Sequence, residues 1–431
     1  MSIKKYYSIG KKKLFPICRS LTGKGVKETL LIIQKEFKNL NIKKIRSGKK
    51  VFDWKVPPEW NVKDAYVLDK FDKKIIDFKK NNLHLVGYSI PINKTLNKST
   101  FFDHLHSLKK QKNAIPYATS YYKKYWGFCV THKDKIHFNK NYKKNDKFKI
   151  FINSNLNNKG YLNYGELLIK GKSEQEILIS TNICHPSLAN NELSGPIVSM
   201  SLINHFLKKR KKLQKSIRFL FIPETIGAIS YINKNLNEMK KKIIGGFNLS
   251  CIGDERNHSF MHTKEETSLS DQVIIEAYKK LKIKKYKTYS FLKRGSDERQ
   301  YNSPGIDLPI ASIFRTRYGD FPEYHTSLDN FDFVTEKGVK GGFEVAKTAI
   351  ELLIEKIIPK YVVLGEPQLG KRGLYPSFNT KYAHKKARYY MDFLQYADGK
   401  NDLESIGKKI NLDIKLIKKI YFILKKNKLI Q

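Results

Sequence analysis

Four runs in this chain carry an apolar stretch into a residue that can bind a metal or move a proton. ILISTNICHPSLANNELSGP brings Cys184 and His185 to the end of such a stretch, and SIRFLFIPETIG brings Glu224. GFNLSCIGDERNH does the same for Asp254, and LPIASIFRTRYGDFPEYHTSLDN for His325. Near-continuous apolar runs predict strands covered on both faces, and ligands of open α/β sheets gather at the carboxyl ends of the strands. One rim would therefore present two imidazoles and two carboxylates. That set suits a bound zinc ion. The chemistry it predicts is metal-assisted hydrolysis, in which the cation polarises a carbonyl and acidifies water while a carboxylate takes the proton. Each residue alone has a plainer role, as a hydrogen-bonded histidine or an acidic helix cap; the joint order is what points to a site.

Other residues belong to the same rim. Asp297, in RGSDERQY, is either a site carboxylate or part of a helix start capped by Ser296. Arg299, Arg315 and Arg317 lie close together in sequence, and would either form a pocket for a carboxylate or phosphate or pair with Asp297, Glu298 and Asp320. Tyr121, Tyr122, Tyr125 and Trp126 read first as aromatic core and second as a sugar- or peptide-stacking platform. His104 and His106 are expected to be structural. Cys184 is expected to be a buried, inert thiol pointing away from His185.

These residues must be positioned by more than one unit. The chain has 431 residues, enough for two or three domains. With 40% hydrophobic and 29% charged residues it is globular. An amphipathic helix is predicted through Val26, Leu30, Ile33 and Phe37. An α/β domain is expected from 1–50 and 173–365, interrupted by a β-rich insertion at 51–172 that is rich in proline and aromatics. Residues 383–431 read as three helices and a basic tail able to form a hairpin, a winged helix-turn-helix layout.

The four cysteines are scattered and form no CxxC pair, which excludes a disulfide framework and a thiolate zinc site. No signal sequence or membrane span is read, so no membrane partner is expected and a cytoplasmic location fits. The formal charge of +43 would ordinarily suggest nucleic acid. However, 72 of the 83 cations are lysines spread along the whole chain, whereas base and phosphate recognition leans on arginine. Nucleic acid is therefore an open but not favoured partner of the C-terminal unit.

The ordered motifs His185, ANNELSG, PETIG, Asp254, RGSDERQY and PEYHTSLDN resemble the zinc aminopeptidase family that includes bacterial leucyl aminopeptidase and glutaminyl cyclase. With LFPICRSLTGKGVKETL, KVFDWKVPPEWNVKDAY, HLVGYSIPIN and IPYATSYYKKYWGFC, nearly the full length is similar to polysaccharide biosynthesis proteins with an aminopeptidase-like domain. The resemblance implies a zinc-peptidase-type mixed sheet flanked by helices, an inserted β-rich domain and a C-terminal winged helix. It also implies a metallopeptidase acting on a small peptide or amino-acid-bearing substrate. His185, Asp254 and His325 stand at its metal-ligand positions and Glu224 at its general base. Asn191 occupies the position of a bridging aspartate, and Thr225 that of a second glutamate. Both changes remove an anionic ligand, so one zinc ion is expected, with two as the alternative. Asn191 or Glu192 would help to hold it. The alternative function is a catalytically weakened peptidase-fold protein that binds nucleic acid or a protein partner through its winged helix.

Overall fold

Every residue of Glu176–Asn182 and of Ser216–Ile222 is buried, as their mainly apolar centres, Ile177–Ile179 and Phe219–Ile222, require when helices cover both faces of a sheet. These strands sit at the centre of an eight-stranded sheet in a computed structural model that describes residues 2–376 and 384–431. In chain order its strands are β1 (Asn41–Arg46), β2 (Tyr161–Ile169), β3 (Glu176–Asn182), β4 (Ser216–Ile222), β5 (Ile243–Leu249), β6 (Ser259–Met261), β7 (Lys287–Tyr289) and β8 (Ile310–Phe314). They lie side by side as β1-β2-β4-β3-β5-β8-β6-β7. The four central strands, β4, β3, β5 and β8, are parallel. β2 joins β4 and β6 joins β8 antiparallel, so the sheet is mixed. The parallel block brings the carboxyl ends of β3, β4, β5 and β8 to one edge.

Five helices support this sheet: α1 (Lys24–Glu36), α2 (Ser194–Lys209), α3 (Ile226–Lys242), α4 (Leu269–Lys280) and α5 (Glu336–Glu355). Strand alternation divides their work. Ile177, Ile179, Phe219 and Phe221 share a core with α1, α2, α4 and α5, while Leu178, Leu220 and Ile222 pack with α3. α1 buries Val26, Leu30 and Ile33, the predicted stripe. α2 approaches the sheet closely at Gly195, where a Cβ would overlap Thr181 Oγ1 and the Leu249 carbonyl oxygen.

Between β1 and β2 the chain builds a second, four-stranded antiparallel sheet from Glu59–Leu68, Lys74–Asp77, Ile92–Asn97 and Lys147–Asn157. It also contains the helices Lys98–Asp103 and His132–Asn141, started by side-chain caps from Asn97 and Thr131. Trp60, Phe101, Phe148 and Ile150 of this unit share one core with Leu178 and Tyr231, so it is welded to the α3 side of the sheet.

The C-terminal unit holds helices Lys385–Tyr396, Leu403–Lys409 and Ile414–Lys426. Its expected start at residue 383 lies outside the described residues. The tail forms no hairpin of its own. Ile430 instead bridges to Tyr361, Gln431 and Lys360 exchange backbone hydrogen bonds, and Leu369 joins the core of the unit. Residues ahead of the helices therefore supply the strand-like partner that the tail lacks. Lys356, largely buried, ties the unit to the sheet domain by ion pairs to Glu276 of α4 and to Asp402 and Glu404. Among the described residues no helix is long and apolar enough to cross a membrane.

Candidate metal centre

Past β3 the chain turns a corner through Cys184 and His185 and enters α2 by way of the turn Ala189–Leu193. Glu192, on that turn, points back under the corner. Its Oε1 accepts the backbone N–H groups of Cys184 and His185, and its Oε2 lies 2.7 Å from His185 Nδ1. The other ring nitrogen, Nε2, faces Glu224 Oε2 at 3.8 Å. Burial disfavours a charged His185, but Cys184 and Glu192 hold its pKa well above the usual histidine value. Burial itself pushes the Cys184 thiol up to about 12 and keeps it uncharged, so Glu192 is the partner that matters. Cys184 Sγ does not point away from the imidazole: it lies 3.3 Å from Nδ1, because the strand has ended and side-chain alternation no longer applies.

Glu224 follows β4. Ser296 Oγ donates to its Oε1 at 2.6 Å, leaving Oε2 on the side of His185. Burial raises the Glu224 pKa above the usual glutamate value of 4.5, against the pull of the neighbouring His185 charge. Thr225, at the start of α3, has φ 62 and ψ −80, a conformation rare for a β-branched residue. It is held there by its N–H donating to Asp297 Oδ1 and by Arg299 Nη2 donating to its hydroxyl, both at 2.7 Å. Ser187, Cys251 and His325 also have positive φ. Ser296 thus serves Glu224 rather than a helix start, and Asp297 holds the Thr225 corner. The second oxygen of Asp297 is buried without a partner. Its pKa is pushed well up by burial and then by the Glu224 charge.

His325 completes the opposite wall. Its ring centroid is 5.3 Å from that of His185, it stacks on Tyr324 at 3.9 Å, and its Nε2 is 3.4 Å from the Asn191 amide nitrogen. Burial, reinforced by the charge of His185, pushes its pKa down to about 3, so the ring is neutral. Tyr117, from the inserted unit, packs against both imidazoles at 4.9 and 5.2 Å and donates its N–H to the His325 carbonyl at 2.8 Å. Asp254 is fully buried behind this wall. It accepts from Asn190 Nδ2, the Arg256 N–H, and the Thr316 N–H and hydroxyl. These four bonds use the acceptor positions of the carboxylate, so Asp254 would reach an ion only by exchanging one of them.

The remaining rim residues disperse. Arg299 serves Thr225, Arg315 Nη1 lies 2.6 Å from His258 Nε2, and Arg317 pairs with Asp320. Tyr125 and Trp126, partly buried, pack on His104 against the core, while Tyr122 is exposed beside Trp54.

Sequence reasoning passed over Arg19, Tyr117, Ser296 as a Glu224 partner, and Asp329. Asp329 is wholly buried and accepts the N–H groups of Asn190 and Asn191, pinning the turn that carries Glu192. Its place in the HTSLDN run, beside His325, was the available signal. Asp329→Ala strands two buried donors at about 1–3 kcal/mol each. The expected result is a lower urea midpoint and faster hydrogen exchange at residues 189–191; an unchanged midpoint would discount this pinning role.

Does this donor set suit a divalent cation? His185 does, because a metal-binding histidine characteristically gives its second N–H to a carboxylate, and here Nε2 faces Glu224 Oε2. His325 adds a neutral imidazole and Glu224 a carboxylate. Among the described residues, the tight cluster of potential ligand atoms is Cys184, His185 and Glu192, within 4.8 Å of one another. Mutual hydrogen bonds account for that cluster, and Nε2 of His185 is the ring nitrogen outside it.

Comparison with known proteins agrees with this architecture. A family profile described as a domain of unknown function (DUF4910) matches residues 8–356, and one for a winged helix-turn-helix matches residues 357–431. A Clostridium acetobutylicum protein, provisionally named polysaccharide biosynthesis protein with aminopeptidase-like domain, is 40% identical over 419 residues, covering 94% of this chain and 91% of its own. A crystal structure from the same organism, provisionally described as a peptidase, is 37% identical with a TM-score of 0.78, covering all of this chain and 96% of its own. BSAP, a zinc aminopeptidase from Bacillus subtilis, shares the fold at 13% identity and a TM-score of 0.60, over 83% of this chain and 95% of its own. The chain therefore belongs to the DUF4910 family, with polysaccharide biosynthesis proteins that carry an aminopeptidase-like domain, and bears a C-terminal winged helix-turn-helix.

Proposed function

We propose that this protein is a zinc-dependent hydrolase of aminopeptidase type that cuts an amide bond in a small peptide or an aminoacylated substrate. The observation that carries this reading is His185, clamped at Nδ1 by Glu192 with Nε2 turned toward Glu224. The name of the Clostridium relative supports a role in polysaccharide biosynthesis.

His185 and His325 would hold the ion, with Asn191 beside His325 and Asp254 joining only if it gave up one of its four bonds. A bound zinc ion supplies Lewis acidity, polarising a carbonyl and easing the deprotonation of water. Glu224 accepts the proton through Oε2 while Ser296 steadies Oε1. Its raised pKa brings it nearer the operating pH, where a general base is most effective. Tyr117 and Tyr324 wall the two imidazoles and limit water there.

Elemental analysis of metal-replete protein should find about one zinc per chain. His185→Ala should lose that zinc, and chelation should stop hydrolysis of aminoacyl-amide substrates until zinc is restored. A folded protein that takes up no metal and hydrolyses nothing would favour the binding or regulatory alternative.

A further inference from the structure

Asn191 and Glu192 are adjacent on the turn that opens α2, yet their side chains part. Asn191 reaches His325, whereas Glu192 folds back under the corner at His185. The Glu192 side chain is wholly enclosed. Both of its oxygens are engaged by protein donors, Oε1 by two backbone N–H groups and Oε2 by the His185 ring. A carboxylate occupied in this way serves an ion through the histidine rather than by touching it. Such a buried anion also needs a cation near it. Arg19, itself 1% exposed, supplies one. Its Nε donates to the His185 carbonyl at 3.0 Å and its Nη1 to the Leu14 carbonyl. His185 is therefore gripped at its ring and backbone N–H by Glu192 and at its carbonyl by Arg19.

We infer that Glu192 is a positioning residue of the metal centre, fixing the ring orientation in which His185 keeps its proton on Nδ1 and turns Nε2 toward Glu224, with Arg19 as the buried counter-charge. This rests on the hydrolase reading above. A glutamine in its place would bring an amide nitrogen against the N–H donors of the corner, or against the ring N–H. In the first case the corner N–H groups lose their acceptor and in the second the ring loses the one that specifies its tautomer.

The test uses the full chain with zinc and with Co²⁺ as a spectroscopic probe. Glu192→Gln is expected to bind zinc about 10–100-fold more weakly in competition with a chelator and to alter the Co²⁺ absorption bands. Glu192→Asp, which keeps a carboxylate, should recover part of the affinity. In the zinc-loaded parent with ¹⁵N-labelled histidine, His185 should show a protected Nδ1 proton. Unchanged zinc affinity and Co²⁺ spectrum in Glu192→Gln would overturn the inference while leaving the hydrolase reading standing. A parent whose His185 carries its proton on Nε2 would also overturn it, without requiring the Glu192 variants to fold. A parent that binds neither ion overturns the inference and the hydrolase reading together.

Discussion

Glu224→Gln is expected to lower kcat by about 10²–10⁴-fold, the usual contribution of a general base, while zinc content and unfolding midpoint stay close to the parent. The substitution changes almost no volume. The glutamine amide oxygen can still accept from Ser296 Oγ, and the backbone N–H of residue 224 keeps its bond to Cys184 Sγ. What disappears is the carboxylate oxygen that faces His185 Nε2, and with it the proton acceptor. A pH profile gives a second readout. Burial raises the Glu224 pKa and a bound cation would oppose that shift; with either balance kcat/KM in the parent should fall on the acid side as the base is protonated. The variant should lose that limb. Turnover as fast as the parent, with the same acid limb, would remove Glu224 from the reaction.

The largest stability effect is expected at Arg218 on β4. This side chain makes a bidentate pair with Glu176 at 2.6 and 2.8 Å and also binds Glu166. All three residues are buried, at 9%, 3% and 4% exposure. Arg218→Met leaves Glu176 without its partner inside the sheet, which should cost about 3–5 kcal/mol and appear as a lower urea midpoint. Adding Glu176→Gln should restore part of the loss, since it removes the stranded charge. A single variant as stable as the parent would show that the cluster contributes nothing net. The sign with pH follows from Glu166. Burial raises its pKa, but Lys43, Tyr231 and Arg218 together hold it below the usual 4.5. Its stabilisation is present above the unfolded-state value and is lost as pH falls through the folded one. The gap between parent and variant should therefore narrow in acid.

Both experiments address groups that were unequally visible in the sequence. Glu224 could be read directly, because an apolar strand followed by PETIG places it at a strand end. The ion cluster of Arg218 could not: Glu166, Glu176 and Arg218 come from three strands, and their meeting depends on sheet order. The amphipathic stripe of α1 was legible from spacing, whereas the pairing of the tail with Tyr361 was not, since its partner comes from residues ahead of the winged-helix helices.

The chain on its own determined which chemical groups follow the parallel strands, because burial on both faces writes itself as local, mainly apolar runs. Tertiary structure alone decided how those groups are used. It turned Glu192 behind His185, enclosed Asp254 among four donors, and brought Tyr117 across from the inserted unit. These outcomes depend on corners with positive φ and on contacts between residues far apart in sequence, for which local pattern carries no signal.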